Sequence, residues 1–387
     1  MFGYVLDLVS ALKIKKVIAV LGHKQQEVKK LLKPGIKVVI QKRPLGTADA
    51  VKQAMPLLRN FRGTVLVLYA DNPLLKKETL RELLAYHIKN NLDATLLTAK
   101  LDKPAGYGRV LRDKYASICG IVEEKDADDF QRDIQEVNTG IICFHKDRLL
   151  DSLKYVRPNN RKKEYYLTDT IAILYKRGFI LDSVKINDIS EALGINSRSD
   201  LAKANSIMQK RINEELMQNG ITIVDPDSTF IGFGAKIGRD TTIYPFTVIE
   251  RGVRIGKGCF IGPFVHLREG TVLSDGVVAG NFLEVVRSKI SSGTYLKHLG
   301  YIGDARIGRQ VNIGAGTVIA NFDGRKKNIT VIKDKAFIGC DTVLVAPVKI
   351  GKAARTGAGC VVTKNKNVAD NTTVVGVPAR PLKKNIY

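Results

Sequence analysis

The 387-residue chain carries 62 Lys and Arg against 38 Asp and Glu, a net charge of +24, with 44% hydrophobic and 26% charged residues. These figures fit a soluble globular protein long enough for two domains, and no run approaches the roughly 20 apolar residues of a membrane span, so no membrane insertion is expected. Cys119, Cys143, Cys259, Cys340 and Cys360 are odd in number and lack CxxC spacing, which argues against a disulfide framework or zinc site and for a cytoplasmic setting. The opening MFGYVLDLVSALKIKK has no basic stretch ahead of an apolar core and is not read as a secretory signal. Lys and Arg are scattered and Trp is absent, so no nucleic-acid platform is expected; the basic excess suits small anions such as nucleotides, CoA and sugar phosphates.

Along the first half, β-branched apolar runs at 17–22, 36–41, 64–71, 93–100 and 140–145 read as strands. Between them, 24–32, 47–58 and 78–90 place apolar residues at i, i+3 and i+4, as amphipathic helices do. This alternation predicts a doubly wound, Rossmann-like α/β domain over 1–197, with ligands at the carboxyl ends of its strands. A polar linker helix follows over 198–219.

After Gly220 the period changes. Ile231, Ile237, Ile243, Ile249, Ile255, Ile261, Leu267, Leu273, Ala279 and Val285 stand six apart; Ile307, Ile313 and Ile319 form a second register, and Ile332, Ile338, Leu344 and Ile350 a third. Neither an α-helix nor an isolated strand repeats every six residues. A three-sided prism does, turning one aliphatic side chain inward per face. The expectation is a left-handed parallel β-helix over 220–365, then a C-terminal tail over 366–387. The register breaks at 286–306 and 320–331 are expected to project as loops, where function concentrates. The first holds Lys297, His298 and Tyr301, with Glu284 beside it; the second holds Asn321, Asp323, Gly324 and Lys327.

Longer motifs run through both halves: QKRPLGTADAV at 41–51, LYADNPLL at 68–75, PAGYGRV at 104–110, GIVEEKDA at 120–127, QEVNTGI at 135–141 and KEYYLTD at 163–169. GINSR at 194–198, IGPFVHLREG at 261–270, GNFLEV at 280–285, KHLGYIGDA at 297–305, VNIGAGTVIANFDG at 311–324 and GVPARP at 376–381 continue them. Together they resemble the bifunctional bacterial N-acetylglucosamine-1-phosphate uridyltransferase/glucosamine-1-phosphate acetyltransferase family over essentially the whole chain. The resemblance implies acetyl transfer from acetyl-CoA to glucosamine-1-phosphate in the β-helix. His298 would be the general base, suited to taking an amine proton near neutrality, and Glu284 would orient its ring. It further implies Arg268 and Lys327 on the sugar phosphate, Tyr301, Asn312 and Asn321 on the sugar, and Cys340 and Ala358 along the CoA path. A homotrimer with this site between subunits follows from the same likeness.

For the α/β domain the resemblance implies uridyl transfer from UTP. Gln41, Gly46 and Thr47 match the uracil-binding segment; Tyr69, Gly108, Glu123 and Asn138 match the sugar-binding residues. Asp71 and Asn196 match two oxygen ligands for Mg²⁺, with Asn196 also at the UDP-sugar site. Val286 stands where the family has a basic residue, beside Arg287, and Cys340 where it usually has Ser; the β-helix also reads as short by one or two coils. The family's Gly-rich loop and PKxL segment have no counterpart in the chain as written, so uridyl transfer is expected to be impaired here. Two rivals stay open: a non-catalytic scaffold pairing the same two folds, and a monofunctional sugar-1-phosphate nucleotidyltransferase with an oligomerising tail.

Overall fold

In the computed structural model, which describes residues 1–382, the chain divides into two compact units that meet at residues 205 and 206. Among the described residues no helix is long and apolar enough to cross a membrane.

In the first unit, α1 (Phe2–Ala11) comes first, and β1 (Ile18–Leu21), α2 (Gln25–Lys29), β2 (Lys37–Ile40), α3 (Thr47–Leu58), β3 (Thr64–Val67), α4 (Lys77–Lys89) and β4 (Ala94–Lys100) follow in the expected order. The hairpin of β5 (Gly108–Arg112) and β6 (Ile118–Val122), absent from the sequence reading, follows. Its turn is set by Asp113, whose carboxylate accepts the N–H groups of Tyr115 and Ser117 at 2.9 Å. Then come α5 (Asp129–Arg132), β7 (Glu136–His145), α6 (Lys146–Ser152), α7 (Asp169–Lys176) and β8 (Leu181–Lys185). β7 is the longest of these strands and buries most of its residues, which makes it central: β3, β4 and β5 all pair with it antiparallel. The sheet is therefore mixed, in the order β6-β5-β7-β4-β8 with β3 also on β7, while β1 and β2 form a separate parallel pair. Apolar clusters pack both sides, one around Leu96, Phe144, Leu149 and Ile171, the other around Leu80, Leu97 and Ile141.

α8 (Arg198–Gln218) leads into the second unit. It does more than link, because Ile212 and Leu216 pack on the first coil and the buried Asn213 amide donates to the carbonyls of Pro226 (2.8 Å) and Thr229 (3.1 Å). An open apolar column needs such a cap.

Short strands then stack into three parallel faces. The first face runs from Phe230–Ile231 to Val361–Val362, the second from Lys236–Ile237 to Val348–Ile350, and the third from Thr222–Ile223 to Thr373–Val375. The six-residue positions point inward and form one continuous core, with Ile237 at its less buried end. This is the left-handed β-helix that the period dictated.

One expectation fails. Residues 286–306 do not project as a loop: Ile290, Leu296 and Ile302 carry the column through, buried on successive faces. The register is lost because two corners, 285 to 290 and 302 to 307, are one residue shorter than the others. Each places a left-handed residue there, Arg287 (φ 48°) and Asp304 (φ 51°), and the pair is bridged by two 2.7 Å hydrogen bonds. The break at 320–331 does project. Its chain is pinched by a bridge between Phe322 and Lys327 and by Asp323, which accepts the N–H groups of Arg325 (3.1 Å) and Lys326 (2.9 Å). The column also continues past residue 365, with Val368 and Val374 buried and Arg380–Pro381 turning back antiparallel to close the end. Residues 383–387 of the expected tail lie outside the described residues.

Candidate active sites

In the first unit the predicted residues converge at one end of the sheet. Gln41, just past β2, donates its amide to the Gly46 carbonyl (3.0 Å) and to Asp49 (2.8 Å). Gly46 has φ 113°, and a Cβ there would lie 2.5 Å from the Tyr165 carbonyl oxygen, so only glycine lets the two strands of chain meet. Ala48 N–H and Leu167 N–H close the same contact, onto Tyr165 O (2.8 Å) and Thr47 Oγ1 (2.9 Å).

Tyr69 lies under Gly140, whose Cβ would fall 2.5 Å from the ring. Burial pushes its phenol up to about 12, helped by Glu123 and Asp71 and opposed by Thr47, so these three surround it. Gly108 sits in register with Asn138, and a Cβ at Gly108 would lie 3.3 Å from the Glu123 carboxylate. The carbonyl of Asp71 accepts Ile195 N–H (3.0 Å), which brings Asn196 beside it. Burial holds the Asp71 carboxyl above its ordinary range.

Two residues of this site were missed although their motif was read. Thr168 donates to Glu123 (3.0 Å). Asp169 is raised to about 6 by burial first, then by Glu123 and Asp126. The available signal was a carboxylate closing the KEYYLTD run. Glu123 is itself raised, chiefly by burial. Among the described residues no three His, Cys, Asp or Glu group together to hold a metal.

In the second unit His298 occupies the corner between third and first faces; it is exposed and has no hydrogen-bond partner among the described residues. Strand register stacks it under Ala315, Cys340 and Ala358 on the next three coils of the same corner. Gly339 permits this stack, since a Cβ there would meet Ala358 N at 2.9 Å. Cys340 is a free, exposed thiol. Asn312 faces outward on the third face, in register with Tyr295 and Phe337.

Glu284 and Tyr301 stack in register on the first face. Glu284 pairs with Arg268 at 2.8 Å, not with His298, because the side chains of successive coils on one face meet and the corner lies farther along the chain. Asp304 gathers the remaining predicted groups. It accepts from Nε and Nη2 of Arg287 and from the Asn321 amide, and its carboxyl is held low first by Arg287, then by Asn321, with Lys327 adding to the effect. Val286 is only 3% exposed and part of the wall, whereas Arg287 stands within the cluster, its guanidinium held up first by Asp304 and to a lesser degree by Tyr301. His266, which the sequence reading passed over, shares the face: Nε2 lies 3.1 Å from Glu250, which also approaches Arg268.

Comparison with known proteins agrees with this division. The nucleotidyl transferase family matches residues 1–187, and the bacterial transferase hexapeptide family (six repeats) matches residues 234–269. A bifunctional protein GlmU from Geobacillus sp. is 41% identical, covering 100% of this chain and 91% of that protein. One from Acetivibrio thermocellus is 40% identical, covering 91% and 83%. One from Thermosipho africanus is 42% identical, covering 97% and 88%.

Proposed function

Because the chain belongs to the GlmU family of bifunctional proteins, we propose that its two clusters are the two active sites of that family. The β-helix transfers the acetyl group of acetyl-CoA to glucosamine-1-phosphate. The α/β unit carries the pocket for coupling N-acetylglucosamine-1-phosphate to UTP, giving UDP-N-acetylglucosamine and diphosphate, a reaction that the sequence reading expects to run impaired in this chain.

The observation that carries the acetyl-transfer reading is the corner stack. At about 4.8 Å per coil, Cys340 and Ala358 lie two and three coils from His298 on one edge. CoA laid along that edge brings its thioester to the imidazole, while Arg268, Lys327, Tyr301 and Asn321 on the adjoining face and loop take the sugar phosphate. The sugar nitrogen attacks the acetyl carbon; a C–N bond forms, the C–S bond breaks, and His298 takes the amine proton and returns it to the departing sulfur. Asn312, facing outward beside the same corner, holds the sugar.

The first unit binds the uracil at Gln41, Gly46 and Thr47 and the sugar at Tyr69, Gly108, Glu123 and Asn138. The Ile195 N–H to Asp71 carbonyl contact sets Asn196 next to Asp71, and these two residues would hold Mg²⁺. Bound there, the ion would neutralise phosphate charge; the protein's own part is to fix base and sugar so that the phosphates meet in line.

Homotrimer formation is part of the same proposal. Phe246, Phe264 and Phe282 stack with centroids 4.9 Å apart on the same corner as His298, each about half exposed, with Leu299 continuing the row. A second copy covering that row would enclose the CoA edge. The cytoplasm, where acetyl-CoA and UTP are at hand, is the setting this reading requires.

The test is His298→Ala. It should lower acetyl transfer at least about 100-fold while leaving UDP-N-acetylglucosamine binding by the first unit and the melting temperature at the wild-type level. Unchanged acetyl transfer would refute the assignment.

A further inference from the structure

The three faces of the β-helix differ in what they turn outward. On the second face the outward positions are Lys236, Arg254, Val272, Lys289, Arg306, Val331 and Lys349. Five of these seven are cations, all exposed, and among the described residues none of the five has an ion-pair partner. The first face turns out no Lys or Arg, and the third only Arg355.

General basicity does not account for this. Other cations of the same unit have found carboxylates, as Arg287 has Asp304, Arg309 has Asp334 and Lys333 has Asp370. Moreover, Lys236 stands directly beside Arg254, and Lys289 beside Arg306. Like charges in adjacent ladder positions are destabilising, so the fold tolerates a repulsion that an external anion would relieve.

The geometry selects the anion. Stacked strands rise about 4.8 Å per coil, so the row from Lys236 to Lys349 runs straight for roughly 29 Å on a flat sheet. It has no aromatic side chain on which single-stranded bases could stack, and no helix or ribbon projects to enter a groove. A straight, flat, unpaired row of cations matches a planar anionic surface. We propose that the second face of the β-helix docks on a bilayer of anionic lipids, holding the enzyme peripherally by charge.

The experiment is flotation of the 387-residue chain with vesicles of phosphatidylcholine alone or mixed with phosphatidylglycerol. Wild type should float with the anionic vesicles only and be released at high salt, where the screening length falls to about 3 Å. Each juxtamembrane cation contributes about fivefold. The variant K236Q/R254Q/K289Q/R306Q/K349Q should therefore lose roughly three orders of magnitude in apparent vesicle affinity while keeping wild-type acetyl transfer. A charge-matched control on the first unit, K89Q/K100Q/K103Q/K114Q/K176Q, should float like wild type. If the fivefold variant fails to fold, K289Q/R306Q alone should lose about 25-fold.

The proposal is overturned if wild type does not float, or if the variant floats as well as wild type. It also fails if the control loses as much as the variant, or if duplex DNA binds through the same five cations more tightly than the vesicles do.

Discussion

Asp169→Asn should stabilise the first unit above pH 7 and change little near pH 4. The native carboxyl is raised from 3.8 to about 6, first by burial and then by Glu123 and Asp126. The folded state thus holds this proton more tightly than the unfolded chain does. Its contribution is fully present below pH 4 and is lost as pH rises through about 6, beyond which the native protein carries a charge it disfavours. A rise of about two units at 1.36 kcal/mol each sets a ceiling of about 3 kcal/mol. Asp169 keeps some contact with water, which reduces the expected gain to about 1–2 kcal/mol. For a unit of this size that is a Tm increase of roughly 2–4 °C per kcal/mol, read by calorimetry on wild type and variant at a series of pH values. A difference that stays flat from pH 4 to pH 8, or that favours wild type at pH 8, would refute the carboxylate-cluster reasoning.

Gly46→Ala should weaken UDP-N-acetylglucosamine binding and destabilise the first unit by about 1–3 kcal/mol, because φ 113° and a 2.5 Å approach to Tyr165 O leave no room for a methyl group; isothermal titration with UDP-N-acetylglucosamine reads the binding loss. Ile302→Ala, at a position with no exposure, should cost about 2–5 kcal/mol and lower the melting temperature of acetyl transfer without altering KM at low temperature. Glu284→Gln separates two roles: if Glu284 restrains Arg268 through their 2.8 Å contact, KM for glucosamine-1-phosphate should fall severalfold with kcat unchanged, whereas a fall in kcat alone would restore it as the orienting partner of His298.

Much of the second unit was legible in the chain itself. An inward position in a three-sided column favours an aliphatic side chain once every six residues, so Ile243, Ile249 and Ile255 announce the fold without help from distant residues. In the first unit, α3 was read to the residue because its apolar spacing is local. The β5–β6 hairpin was not, since its strands are defined by pairing with β7 rather than by their own pattern.

What only the tertiary structure decided concerns side chains that meet across coils or between loops. The stretch after Val285 reads as an insertion, yet it is a tightening, because loss of register looks the same in a sequence whether a corner gains residues or loses one. Glu284 lies near His298 along the chain but pairs with Arg268, 16 residues back, since stacking brings together residues nearly one full coil apart. Likewise Thr168 reaches Glu123 across 45 residues, and the raised Asp169 carboxyl depends on burial that no local pattern encodes. Periodicity is a property of the chain; the company a charged group keeps is a property of the fold, because its energy depends on distances that only the folded backbone sets.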